Sequence, residues 1–165
     1  MRAHNFQVQG GEVVLSDGVY LLNARIDFRL SDEASDALDN GVPLTFVLQI
    51  EVERDRGWWF SDSVASLSQR YRVRYHALSK RYVVSNLNSG DTRSFTSHQA
   101  ALDALGSVER LPLIDRRLLQ SGADYEVWLR ARLDIDELPA PLKTVAYMSP
   151  QWRLVSEWHV WRFQP

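Results

Sequence analysis

Residues 125–136 alternate without a break. Tyr125, Val127, Leu129, Ala131, Leu133 and Ile135 fall on one side, and Glu126, Trp128, Arg130, Arg132, Asp134 and Asp136 on the other. A period of two sustained this long describes a β-strand with one face buried and one in water. The pattern returns at 44–53 and 69–78. Antiparallel sheets tolerate one solvated face, so the chain reads as a mostly antiparallel β protein.

Bulk properties narrow this further. The 165 residues suffice for one domain with a real core. Hydrophobic residues at 45% and charged residues at 24% fit a folded chain rather than a disordered one. A net charge of −2 and a pI near 6.1 give no global attraction to nucleic acid or to an anionic membrane. The absence of cysteine excludes disulfides, thiolate metal sites and a cysteine nucleophile, and leaves the compartment open. No run approaches the ~20 apolar residues that span a bilayer, so no stable membrane insertion is expected. No charged-then-apolar segment opens the chain. Either the protein is cytoplasmic, or an export signal has been removed ahead of Met1.

Along the chain, 5–9 reads like a strand, and 12–16 and 19–30 are strands joined by the turn Asp17-Gly18. Ser31 is an N-cap, with Asp32 and Glu33 favouring the helix dipole and Asn40-Gly41 as the stop. Strand 44–53 leads through a polar, aromatic connection at 55–61 into strand 69–78. Strands 81–87 and 92–95 flank the hairpin signal Asn88-Ser-Gly-Asp91. Thr96-Ser-His-Gln99 resembles a capping box for a short helix over 97–105, ended by Gly106. Strand 108–113 is weakened by Pro112, and 115–119 adds a helical turn. Leu138-Pro-Ala-Pro141 cannot be a central strand, and 152–163 is the last strand. No linker or repeat divides the chain, so residues 1–165 form a single domain. The fold class expected is mainly β: an antiparallel β-sandwich of about seven to nine strands, Ig-like in general architecture, with two short edge helices.

Three features are candidate sites. Arg70, Arg72 and Arg74 share one strand face, as do Arg130 and Arg132. If the two strands are neighbours, their guanidiniums converge on a surface suited to carboxylates, phosphates or an acidic partner. The alternative is a wet face whose arginines pair across strands with Glu51, Glu53 and Glu126. Trp58, Trp59 and Phe60 could anchor a partner or fold over the open end of the core. The final strand carries apolar groups on both faces, which calls for a cover from within the chain or from a partner. His4, His76, His98 and His159 lack ligand spacing, and Asp134-Ile-Asp136-Glu137 lacks the glycine and ligand ladder of a calcium loop. No nucleophile elbow, P-loop or dinucleotide fingerprint is present. Hence no catalytic residue, metal or cofactor is expected.

Several stretches together resemble a bacterial family known as domain of unknown function 4390. They are Ala24-Arg-Ile-Asp-Phe-Arg-Leu30, Ala37-Leu-Asp-Asn-Gly-Val-Pro-Leu-Thr-Phe46, Tyr75-His-Ala-Leu78, Leu133-Asp-Ile-Asp-Glu-Leu-Pro139 and the ending 152–163. The family favours a basic residue between the two prolines of the Leu-Pro segment, where this chain has Ala140. The resemblance implies an exported, periplasmic proteobacterial protein whose signal has been removed. Members are often encoded beside a membrane sensor histidine kinase. It supplies no activity and no catalytic residues. The expected function is a non-enzymatic periplasmic interaction module that partners the extracytoplasmic part of a sensor kinase or another envelope protein, and no nucleic acid. Arg72, Arg74, Arg130 and Arg132 would supply charge, with Trp58 and Trp59 as anchors. The alternative is an envelope protein that binds a small anionic or amphipathic ligand. Oligomeric state is left open.

Overall fold

The alternating segments pair as antiparallel ladders in a computed structural model that describes residues 5–58 and 60–165. His4 and Trp59 lie outside the described residues. β1 (Phe6–Ser16) and β2 (Val19–Phe28) form a hairpin about Asp17 and Gly18, both at positive φ (50° and 79°). That geometry matches the right-handed twist of the flanking strands. β1 is a single strand across the two stretches read at 5–9 and 12–16, with a register shift between Val8 and Gly10. β7 (Ser107–Asp115) pairs with β2 and completes a three-stranded sheet in the order β1-β2-β7. Pro112 sits on this edge strand next to a register shift, where its missing donor costs least.

The second sheet has six strands. β3 (Leu44–Asp55), β4 (Ser61–His76), β5 (Arg81–Asn86), β6 (Thr92–Phe95), β8 (Tyr125–Leu133) and β9 (His159–Phe163) run in the order β6-β5-β4-β3-β8-β9. The molecule is thus mainly β, with nine strands in two antiparallel sheets among the described residues. The sheets meet over a shared core. Phe46 of β3 lies 5.7 Å from Phe6 and 5.3 Å from Phe28, and Tyr20 lies 4.7 Å from Phe163. Leu48, Ile50, Val52, Val127 and Leu129 are fully buried on the same inner face. Each such side chain contributes about 1.5–3 kcal/mol relative to exposure.

Three α-helices are present among the described residues rather than two. α1 (Asp32–Asp39) is capped by the Ser31 hydroxyl, which accepts from the Ala34 amide at 3.2 Å, and it buries Ala34 and Leu38. α2 (His98–Leu105) is capped by Ser97, whose hydroxyl accepts from the Ala100 amide at 3.1 Å. The capping box read around Thr96 is therefore displaced by one residue, and Gln99 instead donates its side-chain amide to Asp103. Gly106 ends α2 where the chain touches β2. A Cβ there would fall 2.0 Å from the Ile26 carbonyl oxygen, so the close approach requires glycine.

α3 (Ala140–Met148) agrees with the exclusion of Leu138–Pro141 from a central strand and adds a helix that the sequence reading did not name. Pro139 is the N-cap residue and Pro141 lies in the first turn, where a proline loses no helical hydrogen bond. The last strand is also shorter than expected. Pro150–Trp152 form a 3-10 turn that buries Trp152, and only His159–Phe163 pair as a strand. β4 is longer than expected and begins at Ser61, not at 69.

Candidate partner-binding face

β3 lies between β4 and β8, and the two registers decide whether the arginines meet. Val47 of β3 is opposite Arg70 on one side and Arg132 on the other. Thr45 is opposite Arg72, and Gln49 is opposite Arg130. Directly paired residues share a sheet face. These side chains therefore occupy the outer face of the six-stranded sheet, on strands two spacings apart, about 9–10 Å.

Their surroundings differ. Asp134 follows β8 at the next polar position, and a 3-10 turn at Ile135–Glu137 holds its carboxylate over the sheet. The Arg70 guanidinium donates to it at 2.8 Å, and Arg132 approaches the other oxygen at 3.8 Å. Glu137 adds a longer contact to Arg70, 3.6 Å. The Asp134 side chain is only 10% exposed, and its carboxylate also accepts from the Asp136 amide. Val47, at 1% exposed, is buried at this crossing of the face. Arg130 donates twice to the Gln49 side-chain oxygen, at 3.0 and 2.6 Å, and its guanidinium lies 4.6 Å from the Trp158 ring centre. Trp158 in turn meets Trp128 edge-on at 6.3 Å.

Arg72 and Arg74 have no carboxylate or hydrogen-bond partner among the described residues. They border an open depression of about 420 Å³ with Pro43, Ser85, Glu137, Leu138 and Pro139, and the Glu137 carboxylate makes its ion pair with Arg70 instead. An arginine fork left open beside apolar surface is ready to take a carboxylate.

Three more carboxylates on this face sit at its other end. Glu53 of β3 is directly opposite Glu126 of β8, and Glu51 lies one pair along, opposite Ser66 and Trp128. The arginine–glutamate pairs that alternation allowed are not formed. Glu51 instead accepts from the Ser66 hydroxyl and Glu53 from the Ser61 hydroxyl, while Arg162 reaches Glu126 at 3.8 Å.

Trp58 belongs to a different place. It sits in the turn joining β3 to β4, at φ 55° and 91% exposed, with Phe60 exposed beside it. Neither ring folds over the core. Eleven steps of β4 separate Ser61 from Arg72, about 36 Å at strand rise, so Trp58 and the arginines do not form one patch. Trp59 lies outside the described residues.

Two other features bear on chemistry. A cleft of about 290 Å³ opens between the sheets, lined by Tyr71, Val84, Phe95, Leu105 and Val108, with Arg93, Asp91 and Glu109 at its polar positions. Burial raises the Tyr71 phenol above its ordinary range. At the edge of β5, Tyr82 donates to Asp39 at 2.6 Å, and His98 contacts the same carboxylate oxygen at 3.1 Å. Burial and then the Asp39 hydrogen bond push Tyr82 up to about 12. Among the described residues no group of three or more His, Asp or Glu side chains is placed to hold a metal ion, and no helix is long and apolar enough to cross a membrane.

Asp134 and Gln49 are the residues that reading by alternation missed. The signal was present, because Asp134 continues the polar positions of Arg130 and Arg132. What was lacking was the turn that folds its carboxylate back over the sheet.

Among known proteins, a family model described as a domain of unknown function (DUF4390) aligns with residues 3–162. No curated protein and no solved structure matches the chain.

Proposed function

This chain belongs to the DUF4390 family, and on that premise we propose that it is a non-enzymatic periplasmic interaction module that docks an acidic surface of an envelope protein onto Arg72 and Arg74. One observation carries the reading. On a face where Arg70, Arg130 and Arg132 are each engaged by neighbours, Arg72 and Arg74 are left without a partner among the described residues, beside an open depression. Guanidiniums kept open in this way add specificity and speed to association more than raw affinity. The expected partner is the extracytoplasmic part of a sensor kinase, as the family resemblance implies. Trp58 and Phe60, exposed at the far turn, suit a second contact with a partner long enough to reach both.

The test is capture from an envelope extract on immobilised protein, comparing wild type with Arg72→Glu/Arg74→Glu. Retention of a specific envelope protein by wild type and its loss in the variant is the expected result. Equal retention by both would remove the arginines from the interface.

The cleft between the sheets supports a second reading, an amphipathic ligand with its apolar part against Val84, Phe95 and Leu105. Native mass spectrometry of freshly purified protein would show added mass in that case and bare protein otherwise.

A further inference from the structure

The two sheets part at one side of the sandwich, where β6 edges the six-stranded sheet and β7 edges the other. The cleft of about 290 Å³ lies in this seam, and Leu105 at the end of α2 lines it between them. Arg93 of β6 is opposite Val84 of β5, and Val84 is opposite the fully buried Val73. Directly paired residues share a sheet face, so Arg93 stands on the inward face of the edge strand. Its guanidinium lies 5.2 Å from the Phe95 ring centre. It meets no carboxylate among the described residues, although Asp91 and Glu109 line the same cleft. Asp91 accepts from the Ser89 hydroxyl at 3.1 Å and Glu109 from the Ser107 hydroxyl at 3.2 Å. Each carboxylate keeps lone pairs to spare. The remaining walls are mostly apolar. Tyr71 among them has no hydrogen-bond partner among the described residues, and burial keeps its phenol a proton donor.

We infer that this cleft binds a small zwitterion with an apolar body: an α-amino acid with an aliphatic or aromatic side chain. The cleft offers one guanidinium and two carboxylates that do not pair with one another. A ligand carrying only a carboxylate would suit Arg93 and face two like charges. One carrying only an amine would suit Asp91 and Glu109 and face the guanidinium. An ammonium and a carboxylate on one carbon answer all three, so both attraction and repulsion select the zwitterion. Val84, Phe95, Leu105 and Val108 take the side chain, and the Tyr71 hydroxyl supplies one placed donor, the usual make-up of a small-molecule site. An inward charge on an edge strand also guards against edge-to-edge pairing. That role accounts for Arg93 but not for a cavity walled on its far side by Val108 and Glu109 of the other sheet.

Size sets the strength. Ligand sites start at roughly 300 Å³, so the occupant here is small. About a dozen heavy atoms held in this way give a Kd on the order of 0.1–1 mM. An amino acid in this seam presupposes the cleft reading given above and is independent of Arg72 and Arg74.

The test is calorimetric titration of the full chain with phenylalanine and leucine, up to about 10 mM. Matched analogues of each lack one charge: phenylpropanoate and isocaproate lack the amine, phenylethylamine and isoamylamine lack the carboxylate. At least one amino acid should bind, about tenfold or more tightly than both of its analogues. Arg93→Gln should weaken that amino acid about tenfold and leave the amine analogue bound at least as well, which also shows that the variant is folded. Asp91→Asn/Glu109→Gln should weaken the amino acid and the amine analogue and spare the carboxylate analogue. An analogue that binds as tightly as its amino acid overturns the zwitterion and leaves the cleft as a site for an amphiphile. Amino-acid binding that no substitution at Asp91, Arg93 or Glu109 weakens places the ligand elsewhere and overturns it too. No binding by any of the six compounds overturns it as well. Native mass spectrometry then decides the cleft reading by itself: added mass keeps that reading, and bare protein removes it.

Discussion

Arg70 and Arg132 stand across Val47 from one another, and Arg72 stands one row further along the same face with Arg74 beyond it. Alternation cannot separate the two pairs. The first clamps a nearly buried carboxylate and is part of how the chain folds; the second meets no carboxylate among the described residues. The difference comes from the chain that follows β8. The turn at Ile135–Glu137 brings Asp134 to Arg70 and Arg132, while its Glu137 carboxylate turns to Arg70 at 3.6 Å and lines the depression beside Arg72 and Arg74 without an ion pair to either. An arginine's face is thus a local property, whereas its role depends on a carboxylate delivered from 64 residues away.

The largest effect should come from removing that carboxylate. Asp134→Ala leaves two guanidiniums without their common partner and the Asp136 amide without its acceptor. A loss of about 2–3 kcal/mol is expected in urea unfolding, below the value for a fully buried pair because both arginines are a third exposed. Val47→Ala, at the same crossing, should cost about 1.5–2 kcal/mol for two buried carbons. If it costs nothing, the arginine clamp does not enclose a packed space. Arg72→Glu/Arg74→Glu should change stability by less than about 0.5 kcal/mol, since these side chains give up no hydrogen bond or ion pair among the described residues. A larger fall would mean that the second pair is structural too.

The smallest effect lies away from the face and calibrates it. Tyr82 is held protonated in the folded state up to about 12, first by burial and then by Asp39. An unfolded tyrosine loses its proton near 10. The stabilisation is therefore complete below about pH 10 and disappears as pH rises through about 12. Tyr82→Phe should remove part of the alkaline loss of stability and leave the midpoint of unfolding near pH 7 little changed. An unaltered alkaline limb would show that another group controls it.

How much of this was legible in the sequence follows from the same physics. β3 and β8 were readable because each buries one full face and alternates cleanly. The first half of β4 was not: Ser61-Asp-Ser-Val-Ala-Ser66 has low strand propensity, and pairing with the second half of β3 imposes the conformation. α3 was hidden because Pro139 and Pro141 read as breakers, although at a helix start they break nothing. The ending misled in the opposite sense. Trp152 and Leu154 imitate a strand period, but Pro150 starts a 3-10 turn that buries the indole, which donates to Glu33 at 2.9 Å. At the candidate site, alternation placed the arginines on one face, and only the β4-β3-β8 order could show that they meet. The separation of Trp58 from them followed from the length of β4, which was read eight residues too short at its start.

The division of labour between the two arginine pairs is tested most directly by unfolding Arg70→Met/Arg132→Met and Arg72→Met/Arg74→Met side by side in urea. Methionine keeps an apolar stem and removes the charge. The first variant should lose about 2 kcal/mol, because it strands the Asp134 carboxylate, while the second should unfold with wild type. Equal losses in the two, or a loss confined to the second, would contradict the account.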